Sequence, residues 1–253
     1  MNRRSSCLIF LLLSAVVGCA LRLWNLTAGI DAQGLPLAHH ISTPLMAGWC
    51  ILSLIVFALL ARRTCGTGRT PQVLQSASGV LSYCGGGLIL LSAILEFASA
   101  LVSGATMSAP ILCLLGVLSG ICLLIVCYLR SREKSVAPPL ELIPEVYLVV
   151  KLVLNFKGWS TDPIILDYCV LLFALIFVVL GFYYSTGFLF SQGKPRLTLF
   201  VCLAGCLFSA MAALDGIMDR SPAAITEYLG FLLWLLPVIS CITASADSSE
   251  HSS

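Results

Sequence analysis

The stretch Arg130–Asn155, RSREKSVAPPLELIPEVYLVVKLVLN, decides the architecture. It opens with three basic residues, Arg130, Arg132 and Lys134, turns at Pro138 and Pro139, and becomes an apolar run that still carries Glu141, Glu145 and Lys151. Prolines suit the start of a helix, where the first N–H groups have no intrahelical partner. Glu141 and Glu145 then lie near the N-terminal end, where the helix dipole favours carboxylates. Whether this run crosses a membrane sets the direction of every later segment.

Charge asymmetry answers the question. The chain has 253 residues, of which 59% are hydrophobic and only 10% charged. This composition places it in the polytopic membrane class and excludes a soluble fold. Ten of the fourteen Lys and Arg residues lie in alternate gaps between apolar runs: Arg3 and Arg4; Arg62, Arg63 and Arg69; Arg130, Arg132 and Lys134; Lys194 and Arg196. The other gaps hold only Arg22, Lys157 and Arg220. Short loops rich in Lys and Arg stay cytoplasmic. Without a fifth span, Lys194 and Arg196 would fall outside.

The reading is therefore an all-α bundle of eight transmembrane helices with both termini inside. The spans are Cys7–Leu23, Pro44–Leu60, Gly79–Leu101, Pro110–Leu129, Pro139–Phe156, Ile164–Tyr184, Leu197–Ile217 and Ala224–Ala244. Most approach the roughly 20 residues that cross about 30 Å of hydrocarbon. No connection is long enough for a folded domain, so residues 1–253 form one membrane domain, with 245–253 expected as a disordered cytoplasmic tail. The fifth span is the weakest of the eight, being short and charged.

The stretch around Pro138 also separates two halves, 1–129 and 139–244, that look distantly alike. Arg22-Leu23-Trp24-Asn25 ends the first span and is followed by Gly29 and Asp31; Lys151-Leu152-Val153-Leu154-Asn155 ends the fifth and is followed by Gly158 and Asp162. The third and seventh spans each end on an acid, Glu96 or Asp215. Duplication of a four-span unit would insert both copies in the same orientation, about an axis along the membrane normal. Chance similarity between apolar segments is the competing explanation.

Ionisable groups within the bilayer are costly, by about 2.5–3.5 kcal/mol each on insertion scales, which singles out Glu96, Lys151 and Asp215. Tyr147 and Asn155 stand one helical turn either side of Lys151 and form a polar stripe with it. The expectation is a polar cavity in the outer half in which Lys151 meets Glu96 or Asp215, with Tyr147, Asn155 and Arg22 as further lining residues. In the alternative, Lys151 snorkels to the outer interface and Asp215 behaves as a loop residue. Gly116 with Gly120, the Gly205, Ser209 and Ala213 series, and Gly85 to Gly87 are expected to permit close helix packing. Trp24, Trp49 and Trp159 read as interfacial anchors.

Other chemistry finds little footing. Of twelve cysteines only Cys65 lies clearly outside an apolar run, and no disulfide framework is readable. Val16-Val17-Gly18-Cys19 fits a lipoprotein cleavage box that would free Cys19 for acylation, but the apolar pattern continues to Trp24 and favours an uncleaved helix. Asp31, His39 and His40 share the first outer loop, yet adjacent histidines rarely converge on one ion, so neither metal nor cofactor is expected. Ser160-Thr161-Asp162-Pro163 reads as a helix N-cap. Walker, zinc-helix and serine-elbow motifs are missing. The small positive charge is explained by insertion and implies no nucleic-acid partner.

The short loops and the phrase Lys157-Gly158-Trp159-Ser160-Thr161-Asp162-Pro163 resemble those of uncharacterised polytopic membrane proteins of clostridial-type Gram-positive bacteria. The resemblance implies the bacterial cytoplasmic membrane as location and carries no activity. The leading functional expectation is a non-enzymatic binding or scaffold protein whose partners are the lipid bilayer and other membrane proteins or further copies of itself. A small-solute or ion transporter is the alternative, and an intramembrane enzyme comes last. A polar cavity lined by Lys151 and Glu96 would favour transport; a flat exposed face of small residues would favour a scaffold.

Overall fold

The computed structural model describes residues 3–29, 40–65, 79–103, 108–132, 134, 136–160, 168–190 and 193–250. Among them eight helices follow in order: α1 (Arg3–Ala28), α2 (Ser42–Thr64), α3 (Val80–Ser103), α4 (Ser108–Ser131), α5 (Pro138–Trp159), α6 (Cys169–Thr186), α7 (Pro195–Met218) and α8 (Pro222–Glu250). Seven of them, all but α5, are long and apolar enough to cross a membrane. With 22 residues, α5 reaches about 33 Å, but Glu141, Glu145, Lys151 and Lys157 make it the most charged. Helix α8 runs as far as Glu250, and residues 251–253 lie outside the described residues. There α8 continues beyond its apolar part, and the Thr243 and Ser245 hydroxyls bond back to the carbonyls of Ile239 and Ile242, both at 3.0 Å. Asp31, Gly34, Pro36, His39 and Asp162-Pro163 lie outside the described residues.

Helix α7 forms the centre and packs against α1, α2, α6 and α8. It is apolar around its whole circumference, as a helix without a solvent or lipid face should be. From α7 the contacts run through α8, α3, α4, α5 and α6 and back to α7, so six helices close a ring. Helices α1 and α2 flank α7 on its remaining side. This packing is not two-fold symmetric. Helix α3 lies along α8 and α6 along α7, whereas the counterpart packings of α7 on α4 and α2 on α3 are not among the extensive ones of the described residues.

Small residues set the closest approaches. A Cβ added to Gly85 would lie 2.8 Å from the backbone nitrogen of Trp234 and 2.9 Å from the Gly230 carbonyl, so α3 and α8 cross in backbone contact. One added to Gly120 would meet the Leu90 Cα at 2.7 Å, and Gly116 seats the Tyr147 ring and Ala93. The paired glycines of α4 are therefore occupied within the bundle, by α3 and α5. Between α1, α7 and α8 lies an apolar cavity of about 360 Å³, lined by residues that include Leu8, Leu11, Leu12, Cys206, Leu232 and Leu236. Trp159 stacks on Tyr168 at 5.2 Å and Trp234 on Phe182 at 5.9 Å.

Just past the end of α2, Cys65 is buried and accepts a hydrogen bond on its carbonyl from Arg196 Nε at 2.8 Å. Burial, with the Cys7 thiol nearby, pushes the Cys65 thiol up to about 11 against the opposing pull of Arg196. The thiolate is the reactive form. Alkylation of Cys65 at neutral pH is thus expected to be at least tenfold slower in the folded protein than after unfolding in dodecyl sulfate. Mass-spectrometric time courses on a variant keeping only this cysteine would check it; equal rates would mean that the site is open.

Candidate functional site

Glu141 and Lys151 of α5 are buried and face neighbouring helices that supply partners, whereas Lys157 in the last turn is exposed. Lys151 has a side-chain exposure of 6%, so it does not snorkel. Its ammonium donates to Glu96 Oε1 of α3 at 2.7 Å and to Glu227 Oε1 and Oε2 of α8 at 2.6 and 2.7 Å. The Tyr147 hydroxyl, one turn earlier on α5, donates to Glu227 Oε1 at 3.1 Å and lies 3.4 Å from the ammonium. Glu227 is 3% exposed and Glu96 27%. One cation thus faces two carboxylates inside the ring, one sealed and the other reaching toward its edge. Cys113 of α4 and Tyr228 of α8 lie within electrostatic reach. Lys151 stands eight residues before the end of α5, or about 12 Å along the axis.

A second ion pair joins α1 to α7. Arg22 Nε and Nη2 donate to Asp215 Oδ1 and Oδ2 at 2.8 and 3.0 Å, the bidentate geometry for which a guanidinium is shaped. Asp215 belongs to α7 and is buried, so it is not a loop residue. Arg22 Nη1 reaches Asn25 Oδ1 at 3.4 Å, and Asn25 Nδ2 donates to Ser42 Oγ and Thr43 Oγ1 at 3.1 and 2.9 Å. Ser42 Oγ lies 2.6 Å from His40 Nδ1. The polar string runs from the centre of the bundle to the start of α2. Cys19 lies half-buried in the middle of α1, close enough to feel the Asp215 charge.

At the other end of α5, Arg130 pairs with Glu141 and clasps α4 to α5. Both side chains are buried. Glu145 presents one buried carboxylate oxygen with no hydrogen-bond partner among the described residues.

Of the six residues singled out from sequence, Lys151, Glu96 and Tyr147 come together, Arg22 and Asp215 form their own pair, and Asn155 is half-buried in neither. Glu227 was missed. It sits one turn into the last span, where an acid reads as interfacial. The available signal was the periodicity of α8, since Glu227, Phe231 and Trp234 share one face, and all three are buried. Among the described residues no group of His, Cys, Asp and Glu is arranged to hold a metal ion.

No family model, curated protein or solved structure matches the chain. The helical architecture, with seven apolar helices of membrane-spanning length, is compatible with an integral membrane protein.

Proposed function

We propose that this chain is a carrier for a small solute or ion in the bacterial cytoplasmic membrane. It crosses eight times with both ends inside, and the two ionic clusters close its outer side. The observation that carries this reading is an exchange of partners between the halves. Arg22 of the first half pairs with Asp215 of the second, and Lys151 of the second, besides its pair with Glu227 of its own half, pairs with Glu96 of the first. With Arg22 aligned on Lys151 and Glu96 on Asp215, one pair is the image of the other, as a parallel duplication would produce. Breaking and remaking such pairs gives two halves a means of rocking apart on one side. The overall packing departs from two-fold order, so any duplication has diverged and survives mainly in this charged layer. A scaffold is less well supported, because the glycines of α4 and Gly85 of α3 are filled from within the bundle.

Cys113 tests the proposal because it is only 4% exposed yet adjoins the Lys151 cluster. In a variant keeping Cys113 as its sole cysteine, reconstituted in sealed vesicles, an impermeant quaternary-ammonium methanethiosulfonate is expected to modify the thiol. Asp215→Asn should speed modification from the outer side several-fold. A thiol that stays unmodified for as long as complete reaction takes in dodecyl sulfate would overturn the carrier. An unchanged rate in Asp215→Asn would overturn the outer gate.

A further inference from the structure

The carrier reading leaves the coupling ion open, and the Lys151 cluster restricts it. Charged and titratable groups face this cluster from five helices: Glu96 from α3, Cys113 from α4, Tyr147 and Lys151 from α5, Glu227 and Tyr228 from α8, and, farther off, Asp215 from α7, itself paired with Arg22 of α1. Among these described groups Lys151 is the one cation not matched one-to-one, since it serves two carboxylates. With both ionised the site holds one negative charge in excess, and an interior of low polarity favours its compensation by a cation or a proton.

Geometry separates the two. A metal cation of the hard type needs several oxygen ligands converging on one point. Here the converging oxygens are Glu96 Oε1 and both oxygens of Glu227, and the Lys151 ammonium already occupies their focus at 2.6–2.7 Å. Those three oxygens take up its three N–H donors, with the Tyr147 hydroxyl a longer fourth acceptor at 3.4 Å. A metal ion would have to displace a covalently tethered ammonium, whereas a proton needs only one free carboxylate oxygen. Glu96 has one among the described residues, and at 27% exposure it is the less enclosed of the two carboxylates. Glu227, bound through both oxygens and buried, stays with Lys151 as a fixed pair.

We infer that the coupling ion is a proton and that Glu96 is the residue that takes it up and gives it back. Hydronium on one side transfers its proton to the Glu96 carboxylate, leaving water and a neutral carboxylic acid and removing the excess charge. Release to water on the other side restores the carboxylate. This rests on the carrier proposal for its physiological meaning, but its test requires no transport. In infrared difference spectra of the reconstituted full-length protein, acidification is expected to raise several carboxylic-acid carbonyl bands, one of which is lost in Glu96→Gln. That variant keeps the Lys151–Glu227 pair and with it the fold. Sodium or potassium added at constant pH should leave the spectrum unchanged. A set of bands unchanged in Glu96→Gln, or a carboxylate change driven by sodium or potassium, would overturn the inference. An unreactive Cys113 alongside a Glu96-dependent band would remove the carrier and leave the proton site standing.

Discussion

Replacing Lys151 by Met is expected to destabilise the protein by about 3–5 kcal/mol, the range for removing one partner of a buried ion pair. The loss arises less from the missing attraction than from what remains, a Glu227 carboxylate that is 3% exposed and has no cation beside it. Adding Glu227→Gln to Lys151→Met should recover more than half of that loss, because no sealed charge is left. Glu96→Gln should recover less, since Glu96 is less enclosed, at 27% exposure against 3% for Glu227. Asp215→Asn should recover nothing and add a loss of its own, because Asp215 is bound to Arg22. Unfolding in mixed micelles, followed by circular dichroism, would measure all four. Purely additive losses for Lys151→Met with Glu227→Gln would show that these side chains do not interact.

Arg22→Met is expected to have an effect of similar size, about 3–5 kcal/mol, through the orphaned Asp215 carboxylate. The conservative replacement distinguishes geometry from charge. Arg22→Lys keeps a cation but cannot supply the parallel Nε and Nη2 bonds or the third contact to Asn25. It should therefore recover only part of the stability, and Arg22→Met/Asp215→Asn should exceed both single neutralising variants. If Arg22→Lys were as stable as the original chain, the bidentate arrangement would be unimportant and charge alone would suffice.

The general architecture was legible because it follows from solvent and charge, which act on each segment separately. Apolar runs of membrane length become helices wherever they occur, and seven of the drawn spans coincide with helices of that kind. The pairing of charges was legible only in part. Lys151 and Glu96 could be marked as anomalous one at a time, since each is costly in lipid without a partner. For Glu227 the chain offers only the periodicity it shares with Phe231 and Trp234, because its burial depends on α8 lying against α3 through the Gly85 and Gly230 contact, between positions far apart in the chain. Arg130 shows the same limit. It was counted with the cytoplasmic basic residues, yet it is buried against Glu141, a pairing that reflects how α4 and α5 meet and that neither helix reveals alone.

The Lys151 cluster also imposes an order on how the protein is made. Glu96 precedes Lys151 by 55 residues, whereas Glu227 follows it by 76. At about 5–20 residues per second on the ribosome, Lys151 waits roughly 4–15 s for its second carboxylate. In that interval Glu96 is the only acidic partner from this cluster that the chain has made, while the Arg130–Glu141 clasp, 11 residues apart, holds α5 to α4. Helices α3, α4 and α5 are thereby joined by ion pairs before the rest of the bundle exists. The ring of six helices closes only when α8 arrives, so the last helix to emerge completes both the wall of the bundle and the charge set of its most polar member.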